Sequence, residues 1–126
     1  MRASVRTDAA PAALGPYSQA VRAGQFLFVS GQLALNPATG SFVDGGIGDH
    51  TRRIFQNISA ILEAGGASLA NVVRVTVYLA DIADFAAMNE AYATFFAPPY
   101  PARSTIEAAR LPKDARIEVD VMAYVD

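Results

Sequence analysis

Cysteine and tryptophan are absent from this 126-residue chain, and histidine occurs once, at position 50. Without a thiol there is no disulfide framework, no cysteine nucleophile and no thiolate metal site, and a lone imidazole cannot supply a two-histidine metal motif. Chemistry without a metal is therefore expected. No run of Lys or Arg occurs, the net charge is −2 and the pI is about 5.3, so the chain carries no electrostatic footprint for nucleic acid or acidic membranes. No stretch of about 18 consecutive apolar residues is present, and residues 1–8 lack the apolar core of a secretory signal. A cytoplasmic protein with no membrane partner is the expectation. Repeats, linkers and low-complexity segments are also missing, which argues for a single domain over residues 1–126.

What is abundant is apolar residue. The chain is 52% hydrophobic and only 17% charged, rich for its size, and this points to apolar surface covered by another subunit. Residues 3–7 read as a short edge strand, and the prolines and glycine of residues 9–16 as an irregular connection. Ala20–Ala23 and Gln25–Leu33 read as strands around a Gly24 turn, with Phe26, Phe28 and Ser30 on one face and Leu27, Val29 and Gly31 on the other. Asn36–Gly40 carries strong turn residues, and residues 41–43 a further extended piece.

Asp49 is expected to cap a helix running to about Ala64, with Ile54, Ile58, Ile61 and Leu62 at helical spacing and Gly65-Gly66 ending it. Residues 72–79 alternate, placing Val73, Val75, Val77 and Leu79 in the core. A second helix, capped by Asp81 or Asp84, is predicted to reach about Phe96, where Pro98-Pro99 stops it. From Ala115 to Val125, Ile117, Val119, Val121, Ala123 and Val125 alternate with Arg116, Glu118, Asp120, Met122 and Tyr124. Arg103, Thr105 and Glu107 share one face of the strand before it, and Leu111–Asp114 supplies a turn. Read as a hairpin, the two runs bring Arg103 near Glu118. The elements give an α+β fold, a six-stranded mixed sheet with two helices on one face. Its uncovered face would carry aromatics such as Tyr78 or Tyr124.

Several stretches carry a more specific pattern: Gly15-Pro16-Tyr17-Ser18-Gln19-Ala20, Val29-Ser30-Gly31-Gln32, Asp84–Glu90, Pro101-Ala102-Arg103-Ser104, Leu111-Pro112-Lys113 and the Glu118 strand. In this order, over nearly the whole chain, they resemble the Rid family of YjgF-type imine deaminases. The resemblance implies a homotrimer of α+β subunits with clefts between neighbours, and hydrolysis of small 2-imino acids to 2-keto acids and ammonia without a cofactor. A carboxylate-binding or regulatory trimer without turnover is the alternative from another class. A deaminase of a different enamine or imine intermediate is the alternative within the family.

The residues have readings of their own. A guanidinium at Arg103 suits bidentate carboxylate binding, but it equally suits a salt bridge to Glu107, Glu118 or Asp120. Glu118, between Ile117 and Val119, is either a partly desolvated base or a member of a solvated strand face. Asn89 sits at the edge of the second helix's apolar stripe, as a structural tie or a polar contact. Tyr17 is a packing residue or a loop wall, and Ser30-Gly31 a strand end where a ligand can approach backbone. The resemblance implies that Arg103 grips a carboxylate, that Glu118 activates water, and that Tyr17, Ser30, Gly31 and Asn89 line the cleft. Thr105 stands where the family commonly has Cys. It offers a hydroxyl that lines the pocket. His50, outside every such stretch, is expected at the solvent.

Overall fold

The computed structural model describes residues 2–126. Its strands are β1 (Arg2–Val5), β2 (Ala20–Ala23), β3 (Phe26–Gln32), β4 (Val72–Leu79), β5 (Ala102–Glu107) and β6 (Ile117–Tyr124), and its helices α1 (Ile47–Ala64) and α2 (Phe85–Tyr92). The strands form one mixed sheet in the order β1-β2-β3-β6-β4-β5, as the α+β reading requires. Among the described strands only β4 and β5, joined through α2, run parallel. Among the described residues no helix is long and apolar enough to cross a membrane.

Two-residue alternation builds one face of the core. Leu27 and Val29, then Val75, Val77 and Leu79, then Ile117, Val119, Val121 and Ala123 are all less than 5% exposed. The 3.6-residue period builds the other. Ile54, Phe55, Ile58, Ile61 and Leu62 of α1 are fully buried, each stabilising the fold by about 1.5–3 kcal/mol relative to exposure. Gly66 takes φ +85°, supplying the left-handed turn that ends α1, and a Cβ on Gly65 would collide with Leu27 of β3.

Several expectations need correction. β5 and β6 run in opposite directions but are not a hairpin, because β4 lies between them and pairs with both. α1 begins after Gly46, and Asp49 lies inside the first turn, accepting from the Gly46 amide at 3.0 Å. α2 ends at Tyr92 rather than Phe96. Asp81 caps the short 3-10 turn Ile82–Asp84 that leads into it, accepting from the Ala83 amide. In β4 the alternation begins with a register shift between Val72 and Arg74, which buries Val72 and leaves Val73 44% exposed. His50 is not at the solvent: it is 8% exposed and stacks on Phe42 at 6.1 Å between ring centres, because it lies four residues before Ile54 and so falls on the buried stripe of α1.

The helices cover one face of the sheet. The other carries Phe26 and Phe28, 42% and 43% exposed, beside the half-buried Tyr78, Met122 and Tyr124. Tyr124 packs edge-on against Phe26 at 5.2 Å.

Candidate active site

Two groups of predicted residues form, one on each face of the sheet. On the helix-covered face, Arg103 stands opposite Val75 in the β4–β5 register, at the sheet's edge strand. Its Nη1 donates to Asn89 Oδ1 at 2.6 Å, and its guanidinium lies 4.6 Å from the centre of the Tyr92 ring and 5.6 Å from that of Phe85. Phe85, Asn89 and Tyr92 follow i, i+4, i+7 spacing, so a single stripe of α2 cradles the cation through two ring faces and one amide oxygen. None of the salt bridges considered from the sequence forms. The cavity beside Arg103, about 450 Å³, is lined also by Ala93, Tyr100 and Pro101. Asn89 occupies one Nη1 hydrogen, which leaves the Nε–Nη2 edge of the fork for a carboxylate.

Thr105 stands opposite Val77, two residues along the same face of β5, and its Oγ1 is buried without a partner. Tyr92 Oη is likewise buried and unpartnered. Burial pushes the Tyr92 phenol above its usual range, and the neighbouring Arg103 charge opposes that shift.

On the open face, Glu118 stands opposite Tyr78, and Asp120 opposite Thr76. The β3–β6 register shifts between Val29 and Gln32, so Ser30-Gly31 forms a bulge. Glu118 fills the space where Gly31 has no side chain: a Cβ there would overlap Oε2 and lie 2.9 Å from Cδ. Only glycine admits the carboxylate so close to the strand. Ser30 anchors the bulge, its Oγ donating to the Ser18 carbonyl at 2.6 Å and its amide to the Gln19 carbonyl at 2.9 Å. Tyr17, 54% exposed, closes the same cavity of about 520 Å³ with Leu14, Leu33, Pro112 and Lys113.

Burial raises the Glu118 carboxyl above the ordinary range, and the Asp120 charge raises it further. Asp120 is itself raised by burial, against the lowering effects of a Tyr78 hydrogen bond and the Arg74 charge. A shift in this direction makes the carboxylate a stronger proton acceptor than an exposed one.

Tyr17, Ser30, Gly31 and Glu118 are thus brought together, and so are Arg103 and Asn89. The two groups are not brought together within one chain. Phe85, within the Asp84–Glu90 stretch, and Tyr92 were read as members of an apolar stripe, and their stacking on Arg103 had no signal beyond the spacing around Asn89. Leu14 had none, and Lys113 was legible only as the end of the Leu111-Pro112-Lys113 stretch. Among the described residues no group of three or more His, Cys, Asp or Glu is placed to hold a metal ion.

The family model for Endoribonuclease L-PSP matches residues 7–125. A RutC family protein of Pyrococcus horikoshii is 52% identical over 124 residues, 98% of both chains. The 2-iminobutanoate/2-iminopropanoate deaminase of Capra hircus is 44% identical over 98% of this chain and 90% of that protein. Among solved structures, RidA from the Antarctic bacterium Psychrobacter sp. superposes with a TM-score of 0.94 at 41% identity, covering 98% of this chain and 99% of the other.

Proposed function

The chain belongs to the Endoribonuclease L-PSP family, the Rid family that its motifs resemble, and on that premise we propose that it hydrolyses small 2-imino acids to 2-keto acids and ammonia. The observations that support this reading are a cradled, ion-pair-free Arg103 and, on the other face of the sheet, a carboxylate, Glu118, whose proton affinity burial has raised. The first suits a ligand carboxylate, the second a water molecule. A net charge of −2 gives no comparable support to nucleic-acid cleavage.

The working unit is a homotrimer. The exposed aromatics of the open sheet face are its contact surface, and the site lies in the cleft where Arg103 and Asn89 of one subunit face Tyr17, Ser30, Gly31 and Glu118 of the next. Arg103 binds the substrate carboxylate through two hydrogen bonds. Glu118 accepts a proton from water as its oxygen attacks the imine carbon, forming a carbinolamine. It gives that proton to the nitrogen to complete the carbinolamine, then carries the hydroxyl proton to the nitrogen as the C–N bond breaks, leaving a ketone and ammonia. The imine is already electrophilic, so positioning and one acid–base group suffice without a cofactor. Thr105 lies beside the anchor and shapes the carboxylate end of the pocket.

The test generates 2-iminopropanoate and 2-iminobutanoate in place with an amino-acid oxidase and follows keto-acid release. Wild type should accelerate it. Arg103→Lys should weaken keto-acid binding and lower kcat/KM by about 1.5–3 kcal/mol, the range for a lost charge-assisted bond, while Glu118→Gln should keep binding and lose turnover. Keto-acid binding by wild type with no acceleration would replace catalysis by ligand binding. Wild-type turnover in a folded Glu118→Gln trimer would remove the base assigned here.

A further inference from the structure

One wall of the Glu118 cavity is a segment with almost no support of its own. Residues 10–17 form no helix or strand, and Pro11 and Pro16 have no amide hydrogen to donate. Leu14 is 82% exposed and Tyr17 54%, yet the segment separates two cavities of about 530 and 520 Å³, both of which include Ala12, Tyr17 and Gln19 in their lining. Its internal backbone bond, from the Tyr17 amide to the Gly15 carbonyl at 2.8 Å, is local.

Beyond Ala10, which packs in the core, the segment's support comes from one buried amide. Gln19 is 4% exposed. Its Nε2 donates to the carbonyls of Pro11 at 2.8 Å and Thr7 at 3.0 Å, with a longer contact to Ala10 at 3.4 Å, and its Oε1 accepts from the Thr7 amide at 2.8 Å. The amide is fully used, and only a neutral group with both donors and an acceptor meets this set of partners. Gln19 is tied at its backbone to the other side of the site, since its carbonyl accepts from the amide of Ser30, next to the Gly31 that admits Glu118. A single residue therefore joins the Leu14–Tyr17 wall to the bulge that seats the carboxylate.

We propose that Gln19 is a positioning residue of the reaction site: it sets the separation between the Leu14–Tyr17 wall and Glu118, and so the affinity for the substrate's side chain, without taking part in the chemical step. The inference rests on the imine-deaminase reading, because it treats the Glu118 cavity as the reaction site. Arg103 still holds the carboxylate and Glu118 still moves the proton when the wall is displaced. The defect should then fall on binding.

Gln19→Met keeps the length and removes every hydrogen bond, and Gln19→Glu keeps only the acceptor for the Thr7 amide. For Gln19→Met the expected result is a KM for 2-iminobutanoate raised about tenfold as the wall shifts, with kcat and its pH profile close to wild type. Proteolytic nicking within residues 10–17 should also quicken. A purely structural Gln19 would lower the melting temperature and leave KM unchanged, and that outcome overturns the inference. Should neither variant fold, amide exchange in wild type decides: added 2-oxobutanoate should protect residues 12–17, and absence of protection overturns the inference. Wild type that binds 2-oxobutanoate with this protection but deaminates nothing would sink the deaminase reading alone. Turnover with Gln19→Met equal to wild type in KM would sink the positioning role alone.

Discussion

Arg103 and Glu118 project from opposite faces of one sheet: Arg103 pairs in register with the core residue Val75, whereas Glu118 pairs with Tyr78 on the face the helices leave open. Side chains in register share a face, so no rotamer change brings the two into one cavity within a single chain. A reaction using both needs two subunits.

Subunit mixing tests this directly. Arg103→Met and Glu118→Gln should each be nearly inactive. Mixed after dissociation and reassembly at equal amounts, they should recover about a quarter of wild-type activity, because three in four random trimers are mixed and each mixed trimer has one intact site of three. Mixed trimers with no recovered activity would place both residues' contributions in the same subunit.

Gly31→Ala adds one methyl group where Glu118 keeps its carboxylate. The carboxylate must move or the bulge must open, at a cost of about 1–3 kcal/mol. A drop of about ten- to a hundredfold in kcat/KM is expected, with keto-acid binding less affected. Unchanged kcat/KM would mean that the position of Glu118 is not critical.

Phe28, 43% exposed on the open face, is the residue whose replacement should report assembly. Phe28→Glu sets a charge in the apolar contact surface, and association should weaken about a hundredfold or more. Light scattering should find wild type at three times the 13.3 kDa chain mass and the variant moving towards one. Deamination should fall with the trimer.

Glu118 and Asp120 both carry raised carboxyl pKa values, chiefly through burial. A raised folded-state value means that the folded chain holds these protons more tightly than the unfolded one. Their contribution to stability is full below the unfolded carboxylate range, near about 4, and is lost as pH rises through the folded values. Melting temperature should therefore decline over that window, and Asp120→Asn should flatten the decline. The same variant removes a negative charge beside Glu118, so the acid limb of the kcat/KM profile should move to lower pH. A limb that stays in place would show that Glu118 is not the group titrating.

The sequence by itself determined the elements and, through its motifs, the family. Alternation along residues 117–124 identified the buried strand face, the 3.6-residue stripe of Ile54, Ile58, Ile61 and Leu62 identified the buried helix face, and both are properties of neighbours along the chain. Boundaries were less legible. Asp49 made a good cap in isolation, but Gly46 and Ile47 start the helix earlier; His50, four residues before Ile54, lies on the buried stripe. Gly31 was legible as a place of close approach, though not that the approaching group is Glu118. Only the tertiary structure decided which strand lies between β5 and β6. The turn at residues 111–114 sits equally well in a hairpin or in a link that passes over a strand, and local propensity is the same for both. Insertion of β4 is a choice among contacts far apart in sequence, made because β4's Val75, Val77 and Leu79 complete the core between Val119 and the edge strand. That choice placed Arg103 beneath α2 and Glu118 on the open face, and so divided between two surfaces a site that the sequence presents as one short stretch.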